Sequence, residues 1–409
     1  MRRLIYIFII GLLLCSYTWA DGSRYASKSL LSEGKWVKIR VDKTGIYKLS
    51  YADLKNMGFS DPSKVSVHGY GGWPLDEDFS KEYIDDVPST PVWRGSDYLL
   101  FYGKGPVKWE YDSSSQTFVH TNNPYSLYGY YFVTDATPTN DMTSVAQASG
   151  ATNRITTYDD YLVHEQELVS LAKSGRELYG EDFSGATPRT LSTFSSIPGI
   201  TNEDAKVTMS FVSKVTSGTG VASLSINQSN VLDVSIRSNR EEYVKALEGV
   251  STAVWKGEKS EKNSVVVSYN SASHNNVRLN YVRLHFKRTL QPYGAYTFFR
   301  SIASIGNVSR FVVQGANANT LVFDVTDAQR VRLMETELNG SELTFSIPAG
   351  TLREFVLVRT DQSFISPEVV GEVENQNLHA LEQKDMIIIA AKAFQTQAER
   401  LAEEHRATD

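Results

Sequence analysis

Seven histidines are the first side chains to consider for metal or acid–base chemistry. They stand at positions 68, 120, 164, 274, 285, 379 and 405, and no two have a spacing typical of metal ligands. His164-Glu165 begins like a metalloprotease helix, but Leu168 stands where the second histidine is required. We therefore predict a solvated polar stretch around His164, and a surface position within a strand for His285.

Six carboxylates between Trp73-Pro74 and Pro88 are the best metal candidate, because oxygen-rich loops can bind Ca²⁺. The segment lacks the central glycine and terminal glutamate of an EF-hand loop, which favours an ordinary solvated acidic loop. We therefore predict no metal ligand. The six residues are Asp76, Glu77, Asp78, Glu82, Asp85 and Asp86.

The cysteine content of the chain excludes several further kinds of chemistry. Cys15 is the only cysteine, so the chain after residue 20 has no disulfide, thiolate nucleophile or cysteine-ligated zinc. Gly69-Tyr70-Gly71-Gly72 is not followed by a Lys-Ser/Thr pair, which indicates a turn and not a phosphate-binding loop. A carboxylate pair for glycoside hydrolysis stays open, because its geometry is spatial. We predict no catalytic, cofactor-binding or metal-binding residue, and no cofactor.

The N-terminus predicts export. Arg2 and Arg3 precede an apolar stretch at residues 4–14, and Thr18-Trp19-Ala20 suits a cleavage site, so residues 1–20 are predicted to be a signal peptide. A membrane anchor needs about 20 apolar residues, and a lipoprotein signal needs a small residue before its cysteine, where this chain has Leu14. The net charge of −6 disfavours nucleic-acid binding.

Residues 28–135 are predicted to form a β-rich domain with one short helix. Residues 36–41 alternate apolar and basic side chains, the period of a half-buried strand. Ser50 and Asp53 form a capping box that begins the helix, and Gly58 ends it. Further strands are predicted at residues 46–49, 65–68, 98–102, 108–111, 117–120 and 128–134.

Residues 136–153 lack hydrophobic periodicity and are predicted to be a linker. Residues 154–366 contain short strand-like runs between turn signals, without helical intervals, which favours an antiparallel β-sandwich. The clearest runs lie at residues 205–213, 231–237, 265–269, 278–287, 321–325, 342–347 and 353–359.

Residues 383–409 have a different pattern. Residues 385–390 form a continuous apolar run, as in a strand covered on both faces. Phe394, Ala398, Leu401 and His405 recur at helical spacing. A buried strand followed by a helix is the first half of a βαβ unit, so we expect the start of a truncated α/β domain here.

Several motifs, taken in order, resemble the gingipain family of cysteine peptidases, and within it the sortases of the type IX secretion system. The resemblance covers most of the chain after residue 20. The motifs are Gly34-Lys35-Trp36-Val37-Lys38-Ile39, Thr44-Gly45-Ile46-Tyr47-Lys48-Leu49 with Leu54, Asp97-Tyr98-Leu99-Leu100-Phe101-Tyr102-Gly103, Gly105-Pro106 with Trp109, Ser174-Gly175-Arg176-Glu177, Tyr179-Gly180-Glu181, Asp324-Val325-Thr326-Asp327, Arg353-Glu354-Phe355, Asn375-Gln376-Asn377-Leu378-His379 and Asp385-Met386-Ile387-Ile388-Ile389.

The resemblance implies a cell-surface enzyme at the bacterial outer membrane. Such a sortase removes C-terminal sorting domains from secreted cargo, couples the cargo to anionic lipopolysaccharide and associates with the outer-membrane protein PorV. It also implies a caspase-like fold for the α/β domain that starts at residue 383. Neither His379 nor His405 stands in place of the family's catalytic histidine, and no catalytic residue carries over.

Two function classes follow, with a third kept open. The first is the non-catalytic N-terminal region of such a sortase. The second is a stand-alone surface-binding β-sandwich, an adhesin or a glycan-binding protein whose tyrosines stack on sugars. The third is a glycosidase. The expected fold class is mostly β in each case.

Overall fold

The computed structural model describes residues 25–78, 80, 84–173, 175–185, 187–271 and 274–408. The predicted signal peptide with Cys15, the acidic-loop residue Glu82, and Ser174 lie outside the described residues. The described chain is mostly β, which confirms the predicted fold class. The described residues divide into a large unit, within residues 35–83 and 87–373, and a small unit, within residues 25–34, 84–86 and 374–408. Among the helices described, none has the length and apolar character needed to cross a membrane.

The first part of the large unit contains three small sheets. One has the strand order β27-β1-β9-β3-β4, a second has the order β2-β6-β5, and β7 and β8 form a separate hairpin. The strands are β1 Trp36–Val41, β2 Gly45–Ser50, β3 Ser66–Gly71, β4 Ser89–Thr90, β5 Val92–Arg94, β6 Tyr98–Gly103, β7 Val107–Asp112, β8 Thr117–Asn122, β9 Gly129–Thr134 and β27 Glu368–Val373.

The predicted capping box begins the short helix α1, Tyr51–Asn56. The Ser50 hydroxyl accepts a hydrogen bond from the backbone N–H of Asp53 at 3.0 Å, which satisfies one unpaired donor of the first turn. The Ser50 hydroxyl also donates to the Asp53 carboxylate at 2.6 Å. Gly58 follows with a φ of 90°, the left-handed conformation that ends helices. The helix packs inward through Leu54, which is fully buried.

The second part of the large unit is built around one nine-stranded sheet with the order β10-β23-β22-β26-β20-β12-β19-β14-β17. Two four-stranded sheets, β13-β18-β15-β16 and β11-β21-β25-β24, accompany it. The strands are β10 Ser144–Val145, β11 Asn153–Ile155, β12 Thr157–Glu165, β13 Arg189–Thr190, β14 Ala205–Val215, β15 Thr219–Ile226, β16 Ser229–Arg237, β17 Leu247–Trp255, β18 Val265–Asn270, β19 His274–Thr289, β20 Tyr296–Arg300, β21 Ser309–Val313, β22 Thr320–Asp324, β23 Arg332–Met334, β24 Glu337–Asn339, β25 Glu342–Ile347 and β26 Glu354–Arg359.

The nine-stranded sheet is shared by two hydrophobic cores. One core joins β14 and β19 to β15, β16 and β18, and includes Phe211, Leu224 and Val267. The other joins β20 and β26 to β21 and β25, and includes Phe299 and Phe345. Alternating inward side chains from two facing sheets are the core of a β-sandwich, so the predicted sandwich is present. In the structure the nine-stranded sheet takes part in two such packings, one in each core. The spacing of the predicted strands did not indicate this.

The stretch predicted as a linker, residues 136–153, takes part in the sheets. Its strand β10 pairs in parallel with β23, and Asn153 begins β11, which pairs in parallel with β21. Strands of two or three residues have no side-chain period that a sequence could show, because their contribution is backbone hydrogen bonding.

The small unit contains the 3₁₀ helices Leu30–Ser32, Leu378–Ala380 and Lys392–Phe394 and the helix α2, Gln395–Thr408. The helix predicted from the C-terminal periodicity is therefore confirmed. The strand predicted at residues 385–390 is not formed, and Ile389 is 96% exposed. A continuous apolar run indicates only that its side chains favour burial. A strand also needs a neighbouring strand for backbone hydrogen bonds, and none of the described residues supplies one.

Candidate functional site

A cleft of about 420 Å³ opens beside the junction of β12 and β20 in the large unit. Within the described residues, these two strands pair only at Asp159 and Arg300, so the backbone pairing of the nine-stranded sheet is shortest at this point. The loops after β1 and β6 form one wall, and β12, β20 and the start of β26 form the other. Its aromatic lining includes Trp73, Tyr102, Trp109, Tyr161, Tyr296 and Phe298.

Arg300 is the charged centre of this cleft and is only 1% exposed. Its Nε lies 3.0 Å from Oε1 of Glu354, and its Nη1 lies 3.8 Å from Oδ1 of Asp160. The guanidinium also lies 4.4 Å from the ring centroid of Tyr161, within cation–π distance. Burial alone lowers the pKa of Arg300, but Tyr161, Glu354 and Asp160 raise it by more, so the side chain stays charged.

The hairpin of β7 and β8 holds the aromatic wall in place. Trp109 stacks on Tyr161 with ring centroids 4.0 Å apart and an angle of 18° between the planes. Phe118 contacts the same tyrosine at 5.2 Å and the ring of His285 at 5.1 Å. Because alternate residues of a hairpin share one face, these rings all lie on the side that meets β12 and β19.

Several donors in the cleft are not used by the protein. The indole N–H of Trp73 and the Nε–H of Arg300 are buried, and neither makes a hydrogen bond within the described residues. The close approach of Arg300 Nε to Glu354 is therefore an ion pair whose N–H direction misses the oxygen. The hydroxyls of Tyr102, Tyr161 and Tyr296 make no hydrogen bond to any described residue either.

Asp159 supports the cleft from behind and is itself 1% exposed. Its carboxylate accepts hydrogen bonds from His285 Nε2 at 3.0 Å, Lys287 Nζ at 2.8 Å and the backbone N–H of Ile302 at 2.7 Å. Burial raises the pKa of Asp159, but the hydrogen bond from His285, the charge of Lys287 and the N–H of Ile302 together lower it further. The carboxylate is thus held ionised inside the sheet.

The histidines that the sequence singled out are structural partners of carboxylates. His164 Nε2 lies 2.6 Å from Glu181, while Glu165 lies 2.8 Å from Nε2 of His120, so His164 and Glu165 have separate partners. The surface position predicted for His285 is wrong, because its side chain is only 12% exposed. The prediction placed His285 within a strand, as β19 shows, but the hairpin of β7 and β8 covers the face of β19 that was expected to be exposed to solvent.

The described carboxylates of the predicted acidic loop have separate partners. Asp76 accepts from the backbone N–H of Asp78, and Glu77 pairs with Arg176 at 3.0 Å. Asp85 belongs to the small unit, where hydrogen bonds from the Ala26 N–H and from the His379 ring lower its pKa. Over the described part of the chain, the structure shows no group of three or more acidic, histidine or cysteine side chains that could hold a metal ion.

Lys104 lies next to the cleft and was missed as a site residue, because the sequence shows it only as part of a glycine-rich turn. Its ammonium lies 3.9 Å from the ring centroid of Tyr70 and 4.7 Å from that of Trp73. Its backbone N–H donates to the Tyr131 hydroxyl at 2.7 Å, and its carbonyl accepts from Gly72 at 2.9 Å. Burial lowers the pKa of Lys104 from 10.5 to about 8.

Replacing Lys104 by Met is expected to raise the free energy of unfolding at pH 7 by about 1–2 kcal/mol, because the cost of burying the charge exceeds the lost cation–π attraction. Between pH 8 and 10.5 the folded wild type binds fewer protons than its unfolded chain, so its stability rises with pH in that window. The advantage of the variant should therefore shrink between pH 7 and pH 9 in urea denaturation.

The matched control for this prediction is Lys64→Met, since the Lys64 side chain is 75% exposed. That variant is expected to change stability by less than about 0.5 kcal/mol at either pH. An advantage of Lys104→Met that grows as the pH rises would contradict the lowered pKa.

A solved structure closely resembles the fold of this chain. The crystal structure of dimeric latent PorU from Porphyromonas gingivalis matches 94% of this chain with a TM-score of 0.87 and 32% sequence identity. The match covers 37% of the PorU chain, so this chain spans little more than a third of that protein's length.

Two further solved structures are much less similar. BuGH86wt in complex with neoagarooctaose has a TM-score of 0.19 at 10% identity, over 63% of this chain and 32% of that one. The infectious bursal disease virus Gx strain structure has a TM-score of 0.20 at 9% identity, over 92% and 90%. Neither supports an argument. No protein-family model and no curated protein matches the sequence. The TM-score of 0.87, the 32% identity and the match along 94% of this chain together identify it as a PorU-like protein.

Proposed function

We propose that this chain is the non-catalytic N-terminal region of a PorU-like sortase of the type IX secretion system. The observation that carries the proposal is the 32% identical PorU structure, matched along 94% of this chain. The proposed setting is the cell surface, at the outer membrane. The proposed partners are secreted cargo with C-terminal sorting domains and the outer-membrane protein PorV.

The chemistry of the chain supports a non-catalytic role. A cysteine peptidase attacks the scissile carbonyl with a thiolate that a histidine activates. Cys15 is the only cysteine of this sequence and lies in the predicted signal peptide. The four histidines at positions 120, 164, 285 and 379 are each hydrogen-bonded to a carboxylate. The chain therefore offers a scaffold to the sortase and not its nucleophile.

The sequence raised a second class, a stand-alone surface-binding β-sandwich. One observation favours it: the aromatic cleft with unused donors, which has no part in thiolate chemistry. The two function classes predict different processing of secreted cargo in cells that lack the folded protein.

The test is made in the native host with the complete gene. A strain in which the complete gene is deleted is compared with a strain that carries Gly350→Ala, a substitution into open space. The sortase proposal predicts that cargo from the deletion strain keeps its C-terminal sorting domain, which intact-mass spectrometry detects as an increase in mass. The Gly350→Ala strain should process its cargo fully. Complete processing in a strain whose PorU-like protein is absent or unfolded would refute the proposal.

A further inference from the structure

We propose that the cleft beside Arg300 binds an uncharged sugar ring of an oligosaccharide. This inference is independent of the sortase proposal, because it concerns the cleft's own side chains and not cargo processing. It rests on the charge balance of the cleft, on its aromatic walls and on the donors that the protein leaves unused.

The charges in the cleft favour a neutral ligand. Three carboxylates and three cations line it, and the buried members neutralise one another. Arg288 Nη1 lies 2.8 Å from Asp160, and Arg300 lies 3.0 Å from Glu354. A phosphate, sulfate or acidic sugar would face these carboxylates at close range, and a cation would face the guanidinium groups. Among the described lining residues, the four charged side chains that are not exposed therefore pair with one another, and only Asp42 and Lys43, which are exposed, stand outside these ion pairs.

The polar groups that remain are suited to hydroxyl oxygens. The Trp73 indole N–H and the Arg300 Nε–H are buried donors that lack an acceptor among the described residues. A buried donor without an acceptor costs free energy, so a ligand that supplies acceptors is favoured. Burial raises the pKa of Tyr102, Tyr161 and Tyr296, so their hydroxyls stay protonated and can both donate and accept. A sugar hydroxyl has the same dual capacity.

The apolar surface of the cleft suits the C–H faces of a pyranose. Aromatic rings present flat, electron-rich faces that pack against C–H groups, and polar atoms at their edges can bond the ring hydroxyls. The volume of about 420 Å³ lies within the usual range of small-ligand sites. Because β12 and β20 pair with each other only at Asp159 and Arg300, an extended peptide is the competing occupant of the cleft, and the binding test includes a peptide probe.

The binding test uses the full chain after residue 20 and three neutral hexasaccharides, cellohexaose, maltohexaose and mannohexaose. Binding is followed by intrinsic tryptophan fluorescence, because Trp73 and Trp109 line the cleft. We expect at least one of them to bind with a dissociation constant below about 1 mM. We expect hexagalacturonate, which is anionic, and a Gly-Ser hexapeptide to bind at least tenfold more weakly. Equal binding of all five probes, or no binding of the three neutral ones, overturns the proposal.

Two conservative variants separate the cleft from the rest of the surface. Trp73→Phe removes the indole donor and keeps an aromatic ring, and Tyr161→Phe removes only a hydroxyl. Each is expected to weaken binding about 3- to 20-fold. The control is Tyr243→Phe, whose tyrosine is 90% exposed and outside the cleft, and it should bind like the wild type. Urea denaturation of each variant checks that the fold is kept. Unchanged binding in both cleft variants would overturn the assignment to this site.

A competition experiment distinguishes the source of the sugar. Neutral polysaccharide purified from the host's surface and freed of lipid is added to the hexasaccharide complex. Displacement indicates a surface glycan as the natural ligand, whereas a lack of displacement indicates a free oligosaccharide; both results require the cleft to bind sugar.

Discussion

Replacing Asp159 by Asn is expected to lower the free energy of unfolding by about 3–5 kcal/mol at pH 7. The carboxylate is 1% exposed and accepts three hydrogen bonds, from His285, Lys287 and the backbone N–H of Ile302. An amide of the same shape keeps one acceptor oxygen and places an NH₂ group against donors. It also removes the negative charge that pairs with the Lys287 ammonium, which would leave a cation largely out of water without its partner.

The pH dependence of the loss gives a second readout. The pKa of Asp159 in the folded protein is below its ordinary value of 3.8. A group with a lowered folded pKa contributes stability above its unfolded pKa, and this stability is lost as the pH falls through the folded pKa. The difference between wild type and Asp159→Asn should thus be constant from pH 7 to pH 5 and smaller below pH 4. Urea denaturation at pH 7, 5 and 3.5, followed by tryptophan fluorescence, measures it.

A matched control is Asp233→Asn, an exposed carboxylate on β16 that accepts a hydrogen bond from the Asn230 side chain at 3.3 Å. This variant is expected to stay within about 0.5 kcal/mol of the wild type. A loss below about 1 kcal/mol in Asp159→Asn, or a loss that grows as the pH falls below 4, would contradict the buried ion-pair network.

Side-chain alternation was enough to predict the longer strands of the fold. The predicted strand at residues 342–347 coincides with β25, and the predicted run at residues 205–213 lies within β14. Strands whose faces are both half-exposed were missed, as shown by β27, where Val369 and Val370 are both about half exposed. A strand held to a sheet mainly by backbone hydrogen bonds leaves little trace in its residue types.

The candidate site could not be predicted, because its parts are distant in sequence. Asp159 meets His285 across 126 positions and Lys287 across 128. Such contacts are set by strand register, which single-strand periodicity does not determine. One local signal was present: Arg300 ends the aromatic stretch Tyr296-Thr297-Phe298-Phe299, and a charge placed among buried positions needs a partner. That partner, Glu354, lies in one of the motifs on which the family resemblance rests, but the motif did not show that Glu354 pairs with Arg300.

Replacing Gly105 by Ala is expected to cost about 2–3 kcal/mol, because the added methyl group has no room. A Cβ atom at this position would lie 2.4 Å from the carbonyl carbon and 2.5 Å from the Cα of Lys43. Both are backbone atoms, so neither can turn away as a flexible side chain would, and the loops that contain the two residues must separate. Gly350 has no atom within 4 Å of its Cβ position. Gly350→Ala is thus the matched control and should be neutral or slightly stabilising.

Gly105→Ala should also change the shape of the cleft. The variant therefore tests whether the close contact between Gly105 and Lys43 positions one wall of the cleft. Lys43, Thr44 and Pro106 line the cleft on either side of this close contact. Separating the two loops moves one wall, so Gly105→Ala should alter tryptophan fluorescence of the folded protein as well as its urea midpoint. A stable variant with a wild-type spectrum would show that the loops can accept a methyl group. The wall would then be held by other contacts, such as the stacking of Trp109 on Tyr161, and not by the glycine.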